Sequence, residues 1–202
     1  MRELDRVGLG WRPELAASIF ASLDRIDLVE VIADDWLDAS RRERDALRLL
    51  ARTLPVILHG TSLGLASTEP VDRRRLEKLA RLIDHVQPVL WSEHLAFVRA
   101  GGVEIGHLAA PPRTRATIDG LRRNVILARQ ITGMTPVLEN IATLIDPPLS
   151  DLSESEFIRE AIRACDTSLL LDLHNLHANA TNFALAADLF DDLPIGYVHL
   201  AG

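Results

Sequence analysis

Residues 169–175 read Leu169-Leu170-Leu171-Asp172-Leu173-His174-Asn175, an apolar run that ends in an acid, a histidine and an amide. Nearly continuous leucine of this length marks a parallel strand covered on both faces. Side chains alternate along a strand, so the pattern places Asp172 and His174 on one side and Leu173 on the other. The same kind of ending recurs along the chain. Val56–Gly60 ends Leu58-His59-Gly60, and Val89–Phe97 contains Trp91-Ser92-Glu93-His94. Pro136–Ile141 contains Leu138-Glu139-Asn140, and Ile195–Leu200 ends Val198-His199-Leu200. Two earlier runs, Val7–Gly10 and Leu28–Ala33, bring the strand-like segments to seven.

Between these runs lie helix-like stretches. Pro13 to Leu23 carries Leu15, Ile19 and Leu23 on one face, with Pro13 suited to a first turn. Ser40 with Glu43, and Ser153 with Glu156, form capping-box patterns ahead of apolar residues. Asp72 to Val86 and Thr114 to Thr132 are amphipathic, the second with Gly133 as its stop, and Phe183 to Phe190 forms a shorter candidate. Strands alternating with helices predict a parallel sheet with helical crossovers. An open doubly wound sheet and a (β/α)8 barrel both fit this order. A doubly wound nucleotide binder carries a glycine-rich turn after its first strand. Here that place reads Gly8-Leu9-Gly10-Trp11-Arg12-Pro13, without the third glycine. The polar residues at successive strand ends favour the barrel, whose active sites sit at the carboxyl ends of the strands. The expectation is therefore an α/β fold of (β/α)8 TIM-barrel type, as one domain over residues 1–202. A full barrel has about 250 residues, so the expectation includes only seven of eight strands and a C-terminally incomplete domain.

Composition narrows the function. Of 202 residues, 48% are hydrophobic and 25% charged, which excludes disorder and fibrous repeats. Lys and Arg total 22 against 29 Asp and Glu, a net charge of −7. The densest basic run, Arg73-Arg74-Arg75, is flanked by Asp72 and Glu77, so no nucleic-acid partner is expected. Cys165 is the one cysteine, which excludes an internal disulfide and a cysteine-built metal site. No apolar run has the length of a membrane span, and Met1 to Asp5 lacks the apolar core of a signal peptide. The expected location is the cytoplasm, with no membrane partner.

The chemistry then falls to histidines and carboxylates. In a barrel, His59, His94, Glu139, Asp172, His174 and His199 converge on one mouth although they are distant in sequence. A lone histidine at a strand end is more often a hydrogen-bonding residue than a ligand, and a lone buried acid is often half of an ion pair. Recurrence at five successive strand ends is what points to metal. Six ligands exceed one four-coordinate site and suit two or more ions, with a carboxylate such as Glu139 able to bridge. The all-nitrogen and oxygen set permits iron, zinc or manganese. Glu30, Asn140, Asn175 and His177 are candidates for groups that orient the ligands. His85 reads as a helix-surface residue, His107 as a loop residue and Asn179 as a loop organiser.

At these residues the chain resembles the multinuclear non-heme iron-dependent oxidases, whose best-known members act in methanobactin biosynthesis. The resemblance rests on Gly8 to Pro13, His59-Gly60-Thr61-Ser62-Leu63-Gly64, Ser92-Glu93-His94-Leu95-Ala96-Phe97, Leu138-Glu139-Asn140, Glu154 to Phe157, Leu170 to Asn175 and His199-Leu200-Ala201-Gly202, in family order. It implies a (β/α)8 barrel holding two or three irons. His59, His94 and Glu139 would surround one, and Glu139 would bridge to a second held by Asp172 and His199. Position 174 matches a ligand for a third iron that is commonly asparagine, so His174 departs from the family pattern. The loop after His59 departs too, being less glycine-rich than is common. The implied activity uses iron and dioxygen to modify cysteine or other residues of a ribosomally made precursor peptide, often presented by a partner protein, in natural product biosynthesis. The family pattern continues past Gly202, with further ligands. Two other readings stand beside this one: a divalent-metal barrel hydrolase or isomerase acting on a phosphodiester or sugar, and a non-catalytic or inactive fragment.

Overall fold

The structure, a computed structural model, describes residues 6–183, 190 and 192–200. Seven strands form one parallel sheet: β1 (Gly8–Gly10), β2 (Leu28–Ile32), β3 (Val56–Gly60), β4 (Leu90–His94), β7 (Val137–Glu139), β8 (Leu169–Asp172) and β9 (Ile195–His199), in that spatial order. A separate antiparallel ribbon, β5 (Phe97–Ala100) and β6 (Val103–Ala109), follows β4. The helices are α1 (Ala16–Phe20), extended at its start by a 3-10 turn over Pro13–Leu15, then α2 (Arg41–Thr53), α3 (Arg73–Val86), α4 (Arg115–Thr132), α5 (Glu154–Cys165) and α6 (Leu173–Phe183).

The sheet is strongly curled, and a side-chain contact proves it. β2 and β9 stand five places apart in the strand order. In a flat sheet five spacings of about 4.8 Å would hold them roughly 24 Å apart. Yet Glu30 of β2 and His199 of β9 meet at 2.8 Å. That contact excludes the open doubly wound alternative. The chain is a curled (β/α) barrel of TIM type, with seven parallel strands among the described residues.

Both capping boxes form as their sequences predict. Ser40 accepts from the Glu43 backbone while Glu43 accepts from Ser40, and Ser153 and Glu156 do the same. Strand interiors and inward helix faces share one apolar cluster that includes Val29, Leu58, Leu76, Trp91, Leu121, Leu138, Ile162 and Leu169. Cys165 is buried in that cluster, and burial pushes its thiol up to about 12.

Two expected strands differ from the observed ones. The run Val89–Phe97 is not a single strand: β4 stops at His94, and Phe97 opens the β5–β6 ribbon, which turns at Gly101-Gly102. The ribbon holds down the loop after β3, through Arg99 to the Leu63 carbonyl at 3.2 Å and Ala66 N–H to the Ala96 carbonyl at 3.0 Å. The run Leu169–Asn175 stops being a strand at Asp172. The Asp172 carboxylate accepts the Asn175 N–H at 2.7 Å, an N-cap that starts α6 at Leu173. The alternation that would put His174 beside Asp172 therefore does not exist. The helix expected over Phe183–Phe190 lies, apart from its two end residues, outside the described residues, as do Met1 to Asp5, Ala201 and Gly202.

Helix α4 is fitted to the loop that follows β3. Asn124 donates to the Leu65, Ser67 and Glu69 carbonyls and accepts from the Val71 N–H. One turn earlier, Gly120 lies so close that a Cβ there would sit 2.3 Å from the Ser67 oxygen and 2.8 Å from the Thr68 Cα. Glycine to alanine in an open helix gains up to about 1 kcal/mol. Here overpacking against backbone reverses the sign, and Gly120→Ala is expected to cost a net ~1–3 kcal/mol. Denaturant unfolding checks this; equal or greater stability of the variant would refute the packing described.

Candidate metal centre

Five strand ends deliver the candidate ligands to one place. His59 ends β3 with Gly60, His94 closes β4, Glu139 closes β7, Asp172 closes β8 and His199 closes β9. Parallel pairing aligns these ends: His94 is registered with Glu139, and Asp172 with His199. Two groups of potential ligand atoms result, each within 4.8 Å: His59, His94 and Glu139, and Glu139, Asp172 and His199.

Glu139 is the shared member, with one oxygen turned to each group. Its Oε2 lies 3.3 Å from His59 Nε2 and 3.2 Å from His94 Nε2. Its Oε1 lies 3.3 Å from His199 Nδ1, and that nitrogen is 3.7 Å from Asp172 Oδ2. The Oε2 atom is buried and has no hydrogen-bond partner, so both imidazole contacts are close without hydrogen-bond geometry. Donor atoms around one ion held at about 2.1 Å lie roughly 3.0 to 3.4 Å apart. The spacing about Oε2 is that of ligands around an ion.

The outer nitrogens of the histidines are already committed. His94 Nδ1 faces the Gly60 carbonyl at 3.2 Å, which can only accept. His199 Nε2 faces Glu30 Oε2 at 2.8 Å, and His59 Nδ1 faces Ser92 Oγ at 2.8 Å. An imidazole that donates outward presents a lone pair inward. Lone pairs converging on a carboxylate call for a positive charge between them. Protons answer that call in the metal-free chain. Burial opposes a charge on His94, but its hydrogen bond to Glu93 and the field of Glu139 outweigh it and raise its pKa. Burial also opposes a charge on His199, yet hydrogen bonds to Glu139 and Glu30 push it up to about 10. His59, pulled down by burial and by neighbouring His94, stays neutral.

The supporting residues are specific. Asn140 clasps the Asp172 backbone, donating to its carbonyl at 3.0 Å and accepting its N–H at 2.8 Å. Asn175 donates to the Asn140 carbonyl at 2.9 Å. Together with the N-cap, this clasp fixes Asp172 with Oδ1 occupied and Oδ2 toward His199. Asn179 ties the next loop, accepting from Thr143 N–H and donating to the Ile141 carbonyl and Glu154. Glu93, 1% exposed at its side chain, accepts from Leu63 N–H and His94 N–H. Gly60 makes room for it, since a Cβ there would sit 2.8 Å from Glu93 Oε2.

Other histidines lie elsewhere. His174 and His177 are exposed on α6, and neither joins a ligand group among the described residues. His107 is exposed on β6, and His85 on α3 contacts Asp45 at 3.2 Å. Ser92, Glu93 and Tyr197 receive no role from sequence reasoning, though all three touch the ligand histidines or their partners. Tyr197 carries a usable signal: it is the single tyrosine of the chain and precedes His199 by two residues, hence on the same face of β9.

Comparison with known proteins identifies the family. Residues 6–202 match the family described as RiPP precursor modification enzyme MbnB/TglH/ChrH. A UPF0276 protein of Streptomyces avermitilis is 39% identical over 206 residues, covering 96% of this chain and 42% of that protein. A UPF0276 protein of Acinetobacter baylyi is 31% identical, covering 100% of this chain and 71% of its own length. The chain thus spans well under half of one of these relatives and about seven-tenths of the other. Among solved structures, a D-psicose 3-epimerase from Clostridium cellulolyticum H10 superposes with a TM-score of 0.60 at 12% identity, over 92% of this chain and 68% of that one. That likeness concerns the barrel fold alone. Among the described residues no helix is long and apolar enough to cross a membrane.

The metal-free electrostatics are testable. A histidine whose folded pKa is raised from 6.5 to about 10 stabilises the fold fully below the lower value, and that contribution fades as pH rises through the upper one. Glu30→Gln removes one of the hydrogen bonds responsible, so His199 in the variant is expected to titrate lower and to lose its contribution earlier. NMR titration of the metal-free imidazoles reads this directly. A wild-type His199 titrating near 6.5 would contradict the described geometry.

Proposed function

The chain belongs to the RiPP precursor modification enzymes MbnB/TglH/ChrH, and on that premise we propose that it carries the metal centre of an iron-dependent oxidase acting on a ribosomally made precursor peptide. The observation that carries the proposal is Glu139 Oε2: buried, without a hydrogen bond, and 3.2–3.3 Å from two imidazole nitrogens. His59, His94 and Glu139 would hold one ion, and Glu139, Asp172 and His199 a second. The nitrogen and oxygen donors suit iron, with zinc and manganese as the competing ions. A third ion, as the family resemblance implies, would draw on His174, two residues past Asp172 and open to solvent. Iron held here supplies redox chemistry with dioxygen as co-substrate, which no side chain provides.

The protein's own residues divide the remaining work. The first group is closed, with side-chain exposures of 6%, 11% and 3% for His59, His94 and Glu139. The second is more open, with 25% at His199 and 13% at Asp172. Burial of the first group shields it from water. The Asn140–Asn175 clasp holds the Asp172 carboxylate in place toward His199, which keeps the geometry of the second group. A partner protein would present the peptide to the centre.

Anaerobic purification followed by metal analysis and oxygen uptake tests the proposal. The protein is expected to retain about two iron ions, one per ligand group, and to consume dioxygen only with its peptide. Glu139→Ala should weaken Fe2+ binding more than about 100-fold, beyond the range of outer-shell changes, and abolish oxygen uptake. Bound zinc with no activity restored by Fe2+, or turnover of a sugar or phosphodiester without oxygen uptake, would overturn it.

A further inference from the structure

His59 and His199 belong to different ligand groups, yet a second connection joins them around the outside of the centre. His59 Nδ1 is 2.8 Å from Ser92 Oγ, and Ser92 Oγ is 2.6 Å from the Tyr197 hydroxyl. The Tyr197 hydroxyl donates to Glu30 Oε2 at 3.0 Å, and the same oxygen is 2.8 Å from His199 Nε2. The chain spans β3, β4, β9 and β2, four strands that only a curled sheet brings together.

Proton counting gives this chain a direction. Glu30 Oε2 lies within hydrogen-bond reach of both the Tyr197 hydroxyl and His199 Nε2, and a carboxylate oxygen shared by two such groups is the acceptor of both. An ionised carboxylate only accepts, and a hydroxyl has one proton to give. Tyr197 gives its proton to Glu30, so its oxygen accepts from Ser92. Ser92 has then spent its proton, so it accepts from His59 Nδ1–H. At the other end His199 Nε2–H donates to Glu30. Both histidines are left with their remaining nitrogen, His59 Nε2 and His199 Nδ1, as the one aimed at Glu139.

We infer that Glu30, Tyr197 and Ser92 form one outer circuit that fixes the outward Nδ1–H of His59 and the outward Nε2–H of His199 together, with Tyr197 as the positioning residue that couples the two ligand groups. The purpose of the locked lone pairs rests on the metal reading above; the direction of the circuit rests on the distances alone. Coupling then has two routes, Glu139 through the middle and this circuit around the edge. Loss of the Tyr197 hydroxyl, which lies outside both ligand groups, affects both. It frees the Ser92 proton to turn toward His59 Nδ1, and His59 can move its own proton to Nε2, which blocks the ligand position.

The test is Tyr197→Phe, which keeps the ring and removes the hydroxyl. Nitrogen-15 NMR of the metal-free protein near neutral pH is expected to show His59 wholly as the Nδ1–H tautomer in the wild type. The variant should show a mixture, a signature that loss of packing alone would not produce. Anaerobic Fe2+ titration against a competing chelator should show about a ten- to hundredfold weaker affinity at both positions. Ser92→Ala breaks the circuit from the other side and is read by the same two measurements should Tyr197→Phe fail to fold. A wild-type His59 protonated on Nε2, or unchanged Fe2+ affinity in a folded variant, overturns the inference. If the wild type binds no Fe2+ while the tautomer still shifts in the variant, the circuit stands and the metal reading falls.

Discussion

One buried carboxylate organises this protein. Glu139 is only 3% exposed at its side chain and faces three imidazoles, one oxygen toward His59 and His94 and the other toward His199. A buried charge is tolerated when it is paired, and breaking such a pairing is costly. Here the pairing demands that β3, β4, β7 and β9 bring their carboxyl ends to one point. The curl of the sheet, the stop of β8 at Asp172 and the glycine at position 60 all serve that convergence.

The two ligand groups differ in side-chain exposure among the described residues. His59 and His94 sit on strands with neighbours on both sides, beneath the loop that the β5–β6 ribbon clamps. His199 stands on β9, at one end of the sheet order, and Asp172 at the start of α6. The clasp of Asn140, Asp172 and Asn175 ties the ends of β7 and β8 to the first turn of α6.

Most of the candidate set was legible in the sequence because acids and histidines interrupt apolar runs where a buried strand would not tolerate them without a reason. His59, His94, Glu139, Asp172 and His199 all stand out in that way, and the structure brings them together. His174 stood out for the same reason but sits on the surface of α6, since the Asp172 N-cap converts the chain to a helix before the strand can continue. A hydrogen bond three residues long overrode seven residues of strand-like pattern. The β5–β6 ribbon was hidden because Leu95 and Ala96 keep the run from Val89 to Phe97 apolar across a real break. Ser92, Glu93 and Tyr197 were invisible for another reason. Their role depends on strands far apart in sequence closing on one another, as the Tyr197–Glu30 contact does across 167 positions.

The central claim is that Glu139 lies between two cation positions. Diffraction from crystals of the iron-loaded protein, recorded on both sides of the iron absorption edge, tests it most directly. The account predicts two anomalous peaks flanking the Glu139 carboxylate, one bounded by His59 and His94 and the other by Asp172 and His199. An iron-loaded crystal with no peak at Glu139, or with its only peaks among other residues, would contradict it.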